Sequence, residues 1–157
     1  MAMRRALALV AAVILIGGAQ PVWAISTPVI NAATAGVELC EQAVCGAAIF
    51  AGFLRGQVGS NPNAVGLFAV AVTHDPLPEA GDPPADITGG VFQFQIGLRQ
   101  IKGVVVPHVS TLTNNGDNTF TVHAVLMITA GGSGIVNYTG LLNHNVFPPT
   151  VIGTLSQ

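Results

Sequence analysis

The sequence carries very little charge. Only 8% of its 157 residues are Asp, Glu, Lys or Arg, against roughly 25% in ordinary globular proteins. Beyond the first 24 residues the only cations are Arg55, Arg99 and Lys102, which are too few and too scattered to neutralise a row of phosphates. This composition excludes nucleic acid as a partner. It also indicates that uncharged polar residues hydrate the surface, or that a small molecule or another copy of the chain covers part of it.

Apolar runs long enough to cross a bilayer are also missing. Residues 6–16 form an apolar run that follows Arg4 and Arg5, but a membrane-spanning helix needs roughly 20 residues. Small residues at Val22 and Ala24 suit cleavage after Ala24, so we predict a signal peptide at 1–24 that is removed on export. The alternative is an uncleaved anchor. The mature protein is then expected to be secreted or periplasmic, with no membrane span.

Cysteine is scarce as well. The only two, Cys40 and Cys45, lie in the stretch CEQAVC, and a pair this close in an exported protein indicates a disulfide rather than a catalytic thiol. The bridge requires a turn or an unwound stretch, because residues five apart on a continuous helix are too far separated. We therefore predict an N-terminal segment at 25–46 with one short helix held by the bridge.

A period-two alternation dominates the rest of the chain. Phe92, Phe94, Ile96 and Leu98 share one face, with glutamines between them, as expected of half-buried strands. The pattern predicts strands at about 47–58, 65–74, 88–98, 101–112, 119–129, 134–143 and 150–156.

Short connections between these strands predict antiparallel neighbours. Only residues 75–87 form a long link. The expected fold is all-β, a small antiparallel up-and-down β-barrel of about seven to eight strands in one domain at 47–157. A β-sandwich is the alternative. Low charge and uniform alternation favour the barrel, since closure leaves no edge for other chains to join.

Two hairpin registers follow from the turns. A two-residue turn at Asn115-Gly116 places Val105 opposite Leu126, and His108 opposite His123. A loop centred on Gly132 places Tyr138 opposite Leu126.

The first register carries a metal hypothesis. Cross-strand partners have Cβ atoms about 5 Å apart, so His108 and His123 could share a zinc or copper ion. The neighbours on that face offer no further good ligand. The competing interpretation, two polar side chains on a wet surface, is preferred.

A ligand site is predicted at one end of the barrel. His74 and His144 continue inward faces, Asp75 begins the long link, and Tyr138, the only tyrosine, points inward. A buried phenol is either a satisfied core residue or a polar group in a pocket. The carboxylates of the long link are irregularly spaced among four prolines, which favours a solvated loop over a metal site. That loop could act as a lid.

The sequence is compatible with three functions. We prefer an exported, non-catalytic barrel that binds a small ligand at its mouth, with no cofactor. The first alternative is a surface or extracellular structural protein that self-associates. The second is an enzyme whose barrel resembles, in architecture only, that of isomerases and cyclases such as allene oxide cyclase and the dirigent proteins. A carboxylate beside Tyr138 in a deep pocket would favour the enzyme.

Overall fold

The computed structural model describes residues 29–157. The predicted signal peptide and its cleavage site lie outside the described residues. Within residues 29–157, no helix is both long and apolar enough to cross a membrane.

The described chain consists almost entirely of β-strands. In chain order the elements are β1 (Ile30–Cys40), helix α1 (Gln42–Cys45), β2 (Ala48–Val58), β3 (Asn61–His74), β4 (Ala85–Ile96), β5 (Arg99–Val105), β6 (Thr111–Asn114), β7 (Thr119–Ala130), β8 (Gly134–Asn143) and β9 (Thr150–Ser156).

The strands close into an antiparallel barrel with eight strand positions. β1 to β5 pair in sequence, β5 pairs with β7, and β7, β8 and β9 follow in order. The circle is completed by β9, which pairs back with β1. The predicted up-and-down barrel is therefore confirmed over the sandwich.

One strand position is divided between β5 and β6. The predicted strand at 101–112 breaks at Pro107, which has no N–H to donate to a ladder, and His108 adopts a positive φ of 62°. The buried hydroxyl of Ser110 fills the gap, accepting from the Val125 N–H at 2.9 Å and donating to the Val106 carbonyl at 2.8 Å. The β6 half therefore continues the barrel in a shifted register.

The predicted registers are partly wrong. Val105 does face Leu126, but beyond the break the pairing moves by three residues, so that Thr111 faces His123. In the β7–β8 hairpin Tyr138 faces Ala124 instead of Leu126. The chain reverses around Gly131, whose φ is 77°, two residues from the expected register. Because this two-residue shift is even, the side chains of β8 keep their predicted face, whereas the three-residue shift exchanges the two faces of β6.

The N-terminal segment contains the expected short helix within the disulfide loop, but most of it is strand. Residues 30–40 form β1, and the helix is limited to the four residues of α1. The β-fold thus begins at Ile30 and not near residue 47. The predicted disulfide is confirmed, with the Cys40 and Cys45 Cα atoms 6.2 Å apart.

The two ends of the barrel differ in their connections. Tight turns at 59–60, 97–98 and 131–133 join the strands at one end, which we call the closed end. Ile30, Leu54, Ile101 and Val136 pack there with no more than 1% of each side chain exposed. The opposite end, which we call the mouth, carries the longer connections at 41–47, 75–84 and 144–149.

Candidate functional site

The barrel encloses a cavity of about 690 Å³ that opens at the mouth. Small-molecule sites in proteins typically have volumes of about 300–1,000 Å³. The inward side chains of eight strands can fill a barrel of this size completely. The presence of a cavity must therefore be explained by particular inward residues.

The cavity wall is apolar and is built by the period-two alternation. The inward side chains of Phe50, Phe68, Val70, Val122 and Leu126 line it from three strands. These residues pack on or belong to the hydrophobic core. The wall therefore suits a ligand that is mostly hydrocarbon.

Inward-facing glycines make the space. Gly140 and Gly153 pair across β8 and β9, and a Cβ on either would collide with the Tyr138 hydroxyl. A Cβ on Gly36 would meet the Phe68 ring in the same way. The absence of side chains at Gly140 and Gly153 lets the Tyr138 ring lean from its strand towards the mouth, and the absence of one at Gly36 makes room for the Phe68 ring.

Tyr138 forms a polar floor together with Thr34. Thr34 pairs with Gly153, beside which the phenol lies. Burial raises the pKa of the Tyr138 hydroxyl, and the nearby Thr34 hydroxyl opposes that rise. The Thr34 oxygen nevertheless has no partner in good hydrogen-bond geometry among the described residues, so we treat the two hydroxyls as close neighbours only. Both keep hydrogen-bonding capacity for a ligand.

Glu38 lies inside the mouth, four residues along β1 from Thr34. Only 6% of it is exposed, and its backbone N–H donates to the Pro149 carbonyl at 2.9 Å. Desolvation raises the pKa of the carboxyl from 4.5 to about 7; the charge of Glu41 adds to this rise and the charge of His74 opposes it. The carboxyl therefore changes its protonation state near neutral pH.

His144 places a second titratable group against Glu38. Its Nε2 lies 3.2 Å from Glu38 Oε2, and its ring packs on Phe120 with centroids 5.4 Å apart. The separation is that of an ion pair, but neither atom has an aligned hydrogen-bond partner among the described residues. Both atoms are thus close to each other and still available to a ligand.

Helix α1 forms part of the rim. The Gln42 side-chain amide makes two hydrogen bonds to the end of β3, which we call the Gln42 clamp. Its Oε1 accepts from the His74 N–H at 2.7 Å, and its Nε2 donates to the His74 carbonyl at 2.8 Å. Together with the disulfide, this clamp holds Glu41 and Gln42 at the cavity edge. Leu77, from the long connection, also lines the rim.

Three of the four predicted ligand-binding residues line this cavity: His74, Tyr138 and His144. Asp75 does not. It is exposed, and its backbone N–H donates to the Asp86 carbonyl at 2.9 Å, which holds the base of the long connection. The predicted site is thus brought together from β3, β8 and the connection after β8, but without its carboxylate.

The predicted histidine pair is not brought together. His123 lies opposite Thr111 on the outer surface, whereas His108 sits in the break between β5 and β6, with its Nδ1 3.0 Å from Asp86 Oδ2. Across the described part of the chain, no three His, Cys, Asp or Glu side chains form a group able to hold a metal ion. The register that supported the metal hypothesis is wrong, because Pro107 interrupts the strand.

Sequence reasoning missed Glu38 and Thr34. Both share the inward face of β1 with Ile30, Ala32 and Gly36. Ala, Thr and Gly alternate there with other small residues, so the hydrophobic contrast that identifies a strand is weak. The available signal was a period-two frame running from Ile30 to Glu38.

Comparison with known proteins adds no function. No protein-family model, no curated protein and no solved structure matches the chain.

Proposed function

We propose that the protein binds a small, mainly apolar molecule inside its barrel, with polar groups of that molecule meeting Tyr138 at the floor or Glu38 and His144 at the mouth. The observation that carries this proposal is the apolar cavity of about 690 Å³. Burial of most of a ligand's surface in such a cavity supplies affinity, and the few polar groups supply orientation.

The arrangement of polar groups also indicates the ligand's shape. Thr34 and Glu38 are four residues apart on β1, which corresponds to about 13 Å along a strand. The wall between them is apolar. A ligand with a hydrogen-bond acceptor at its inner end and a hydrocarbon body fits this order better than a sugar or a nucleotide does.

A neutral fluorophore such as 1-aminoanthracene tests the proposal. We expect its emission to rise on binding with one site per chain, and Ala124→Phe to weaken binding at least tenfold because the new ring fills the cavity. Met127→Phe, an outward position of the same strand, is the matched control and should bind as the unmodified protein does. Equal binding by both variants would place the dye outside the barrel and contradict the proposal.

The proposal includes export. A disulfide suits an oxidising compartment, and Cys40–Cys45 together with the predicted signal peptide supports a secreted or periplasmic location. Detection of the mature chain, beginning near residue 25, in the periplasm or medium tests this point. Retention of the full-length chain inside the cell would contradict it.

Self-association is a second candidate function, favoured by a row of exposed apolar side chains. Leu141, Ile152, Ala35, Phe53 and Leu67 are successive cross-strand partners over β8, β9, β1, β2 and β3. Phe53 is 66% exposed and Ile152 55% exposed. Contiguous apolar surface of this kind commonly marks an interface.

Light scattering after size-exclusion chromatography tests whether a second copy covers this row. We expect a dimer or larger oligomer that dissociates in Phe53→Lys, whereas Ile135→Lys, at an exposed apolar position outside the row, leaves it intact. A strictly monomeric protein at high concentration would exclude self-association through this surface.

A further inference from the structure

The charged side chains are divided between the two ends of the barrel. All seven acidic residues of the chain lie in the half next to the mouth or in its connections. They are Glu38 and Glu41 beside α1, Asp75, Glu79, Asp82 and Asp86 in or next to the long connection, and Asp117 between β6 and β7. Within residues 29–157 no lysine or arginine lies in this half, so the mouth carries a negative potential.

The cations of residues 29–157 lie in the other half of the barrel. Arg99 follows the tight turn at 97–98, and its Nη2 donates to the Gly131 carbonyl at 3.1 Å. Lys102 faces Ala130, the last residue of β7. Arg55 lies in the part of β2 that leads to the turn at 59–60. A molecule that enters the cavity therefore passes acidic groups and leaves the basic ones at the far end.

We propose that the molecule bound in the barrel is a lipophilic amine, whose hydrocarbon body occupies the cavity and whose ammonium group lies at the mouth beside Glu38. This ligand class rests on the proposed function, since it presupposes that the cavity binds a small molecule.

The first support is the place of Glu38 between the apolar wall and the acidic mouth. Glu38 is only 6% exposed and lies two residues before the end of β1. Of the seven acidic residues, Glu38 and Glu41 are the two that line the cavity. The outer end of a molecule held in the cavity therefore meets two carboxyl groups, one of them buried.

The second support is the position of the ionisable groups along the cavity. Glu38, Glu41, His74 and His144 line it at the mouth, whereas the floor holds the Tyr138 phenol and the wall is apolar. Burial raises the pKa of that phenol, so the floor is uncharged at neutral pH. A ligand that matches this order carries charge at one end only, and that charge is positive.

The contact between Glu38 and His144 is compatible with a bound ammonium group. His144 Nε2 lies 3.2 Å from Glu38 Oε2, so this oxygen already has a polar neighbour. A carboxylate has two oxygens with about four acceptor positions, and it can accept from an ammonium group while His144 stays in place. A carboxylate on the ligand would instead place like charges together, which lowers affinity.

The protonation of Glu38 is coupled to the binding of a cation. Desolvation and the charge of Glu41 raise the pKa of Glu38 to about 7, and the charge of His74 opposes the rise. A neighbouring ammonium group favours the ionised carboxyl, so its binding displaces the proton that Glu38 holds below about pH 7. His74 and His144 face Glu38 from β3 and from the connection after β8, and imidazoles gain positive charge as the pH falls. Both effects make the amine bind more tightly as the pH rises towards 8.

Three compounds with the same decyl chain test the ligand class: decylamine, decanol and decanoate, each below its micelle-forming concentration. Displacement of 1-aminoanthracene at pH 8 reports their affinities, and at this pH the amine is a cation and the acid an anion. We expect decylamine to displace the dye at a concentration about tenfold or more below that of decanol, as expected for a hydrogen bond between charged groups. Decanoate should need a higher concentration than decanol.

Variants at the mouth identify the group that selects the amine. Glu38→Gln should remove the preference for decylamine and leave the affinity for decanol unchanged, because only the charge is lost. Glu41→Gln, at an exposed position of the rim, should reduce the preference by a smaller factor without disturbing the core. Glu79→Gln makes the same change of charge on the exposed long connection, outside the cavity lining, and is the matched control that should keep the preference.

Calorimetry adds a measurement that a purely structural role of Glu38 would not change. At pH 6.5 decylamine should release up to about one proton on binding, because Glu38 is mostly protonated there. The release is measured as the difference in binding enthalpy between two buffers of different ionisation enthalpy. Decanol should release no proton, and Glu38→Gln should lose most of the release seen with decylamine.

The outcomes separate the ligand class from ligand binding itself. If decylamine and decanoate displace the dye equally well, the amine is excluded and binding inside the barrel stands. If Glu38→Gln weakens decylamine and decanol by the same factor, the carboxyl shapes the cavity without recognising a cation, which also excludes the amine. Should Glu38→Gln not fold, an unchanged preference in Glu41→Gln together with no proton release in the unmodified protein would exclude it. Dye binding that Ala124→Phe does not weaken would instead contradict the proposed function.

Discussion

The closed end and the mouth are made from the same strands but perform different tasks. At the closed end, tight turns bring large aliphatic side chains together, and Ile101 and Val136 are fully buried. Between that end and the mouth the same inward faces carry Gly36, Gly140 and Gly153, and the surrounding side chains enclose the cavity. The barrel interior is therefore filled where its inward residues are branched, and it encloses a cavity where they are glycines.

The difference also concerns polarity. Every inward side chain named at the closed end is aliphatic, whereas the mouth holds Glu38 and His144 in close contact without an aligned hydrogen bond. Packing density stabilises a fold, and unsatisfied polar groups destabilise it. Tight packing at the closed end therefore offsets the free-energy cost of the unsatisfied polar groups at the mouth.

The largest expected effect is a change in the free energy of unfolding when Glu38, at the mouth, is replaced. The raised pKa of Glu38 means that the stability associated with its protonated form is fully present below about pH 4.5 and is lost as pH rises through about 7. At pH 8 we therefore expect Glu38→Gln to raise the free energy of unfolding by up to about 3 kcal/mol, as measured by urea denaturation. Glu79→Gln should have no such effect. A variant less stable than the unmodified protein at pH 8 would show that the ionised carboxyl has partners and would contradict the comparison.

The next largest expected effect is the difference in stability lost when a valine is truncated at the closed end and at the cavity wall. Val136→Ala removes the same atoms at the closed end as Val122→Ala removes at the cavity wall. We expect a loss of about 2.5 kcal/mol for Val136, which is fully enclosed, and of about 1 kcal/mol for Val122, because the wall already borders empty space. The two urea midpoints measure the difference, and equal losses would mean that the two ends are packed alike.

Removal of the disulfide is expected to affect both the stability of the protein and the shape of the mouth. Replacing Cys40 and Cys45 together by Ser should cost about 2 kcal/mol, as expected for a six-residue loop. It should also weaken binding of 1-aminoanthracene, since α1 then depends on the Gln42 clamp alone. Thermal unfolding and dye titration measure the two effects. Unchanged dye affinity would show that the rim forms without the bridge.

The smallest effect is expected for the tip of the long connection. Residues 79–84 are exposed, whereas Leu77 lines the cavity. Deleting 79–84 should change stability by less than about 0.5 kcal/mol, and should weaken dye binding less than Leu77→Ala does. The reverse order in a dye titration would assign the tip a role as a lid.

Much of the architecture could be predicted from periodicity alone. Strong alternation, as at Phe92 and Phe94, identified every strand position of the barrel except that of β1, and the inward face of Tyr138 followed from the same pattern. β1 was missed because Ala32, Thr34 and Gly36 contrast little with their outward neighbours. Pairing was less predictable, since one proline at position 107 interrupts a strand and moves His123 away from His108.

The candidate site was only half predictable. His74 and His144 follow directly from strands whose inward faces are clear, so their place at the mouth could be expected. Glu38 could not, because the weak alternation of β1 does not identify its strand, and the carboxylate that the sequence does place near the mouth is Asp75. Contacts between residues as distant in sequence as Glu38 and His144 depend on barrel closure, which no local pattern specifies.

By itself the sequence determined the period-two alternation, the disulfide and the inward side chains of the strongly alternating strands, because each depends on residues close together in the chain. The tertiary structure decided that β9 pairs with β1, that Gly140 and Gly153 pair beside Tyr138 at the cavity, and that a buried carboxyl faces a histidine at the mouth. These features arise from closing a sheet into a barrel, which brings together residues from opposite ends of the chain and removes their access to water.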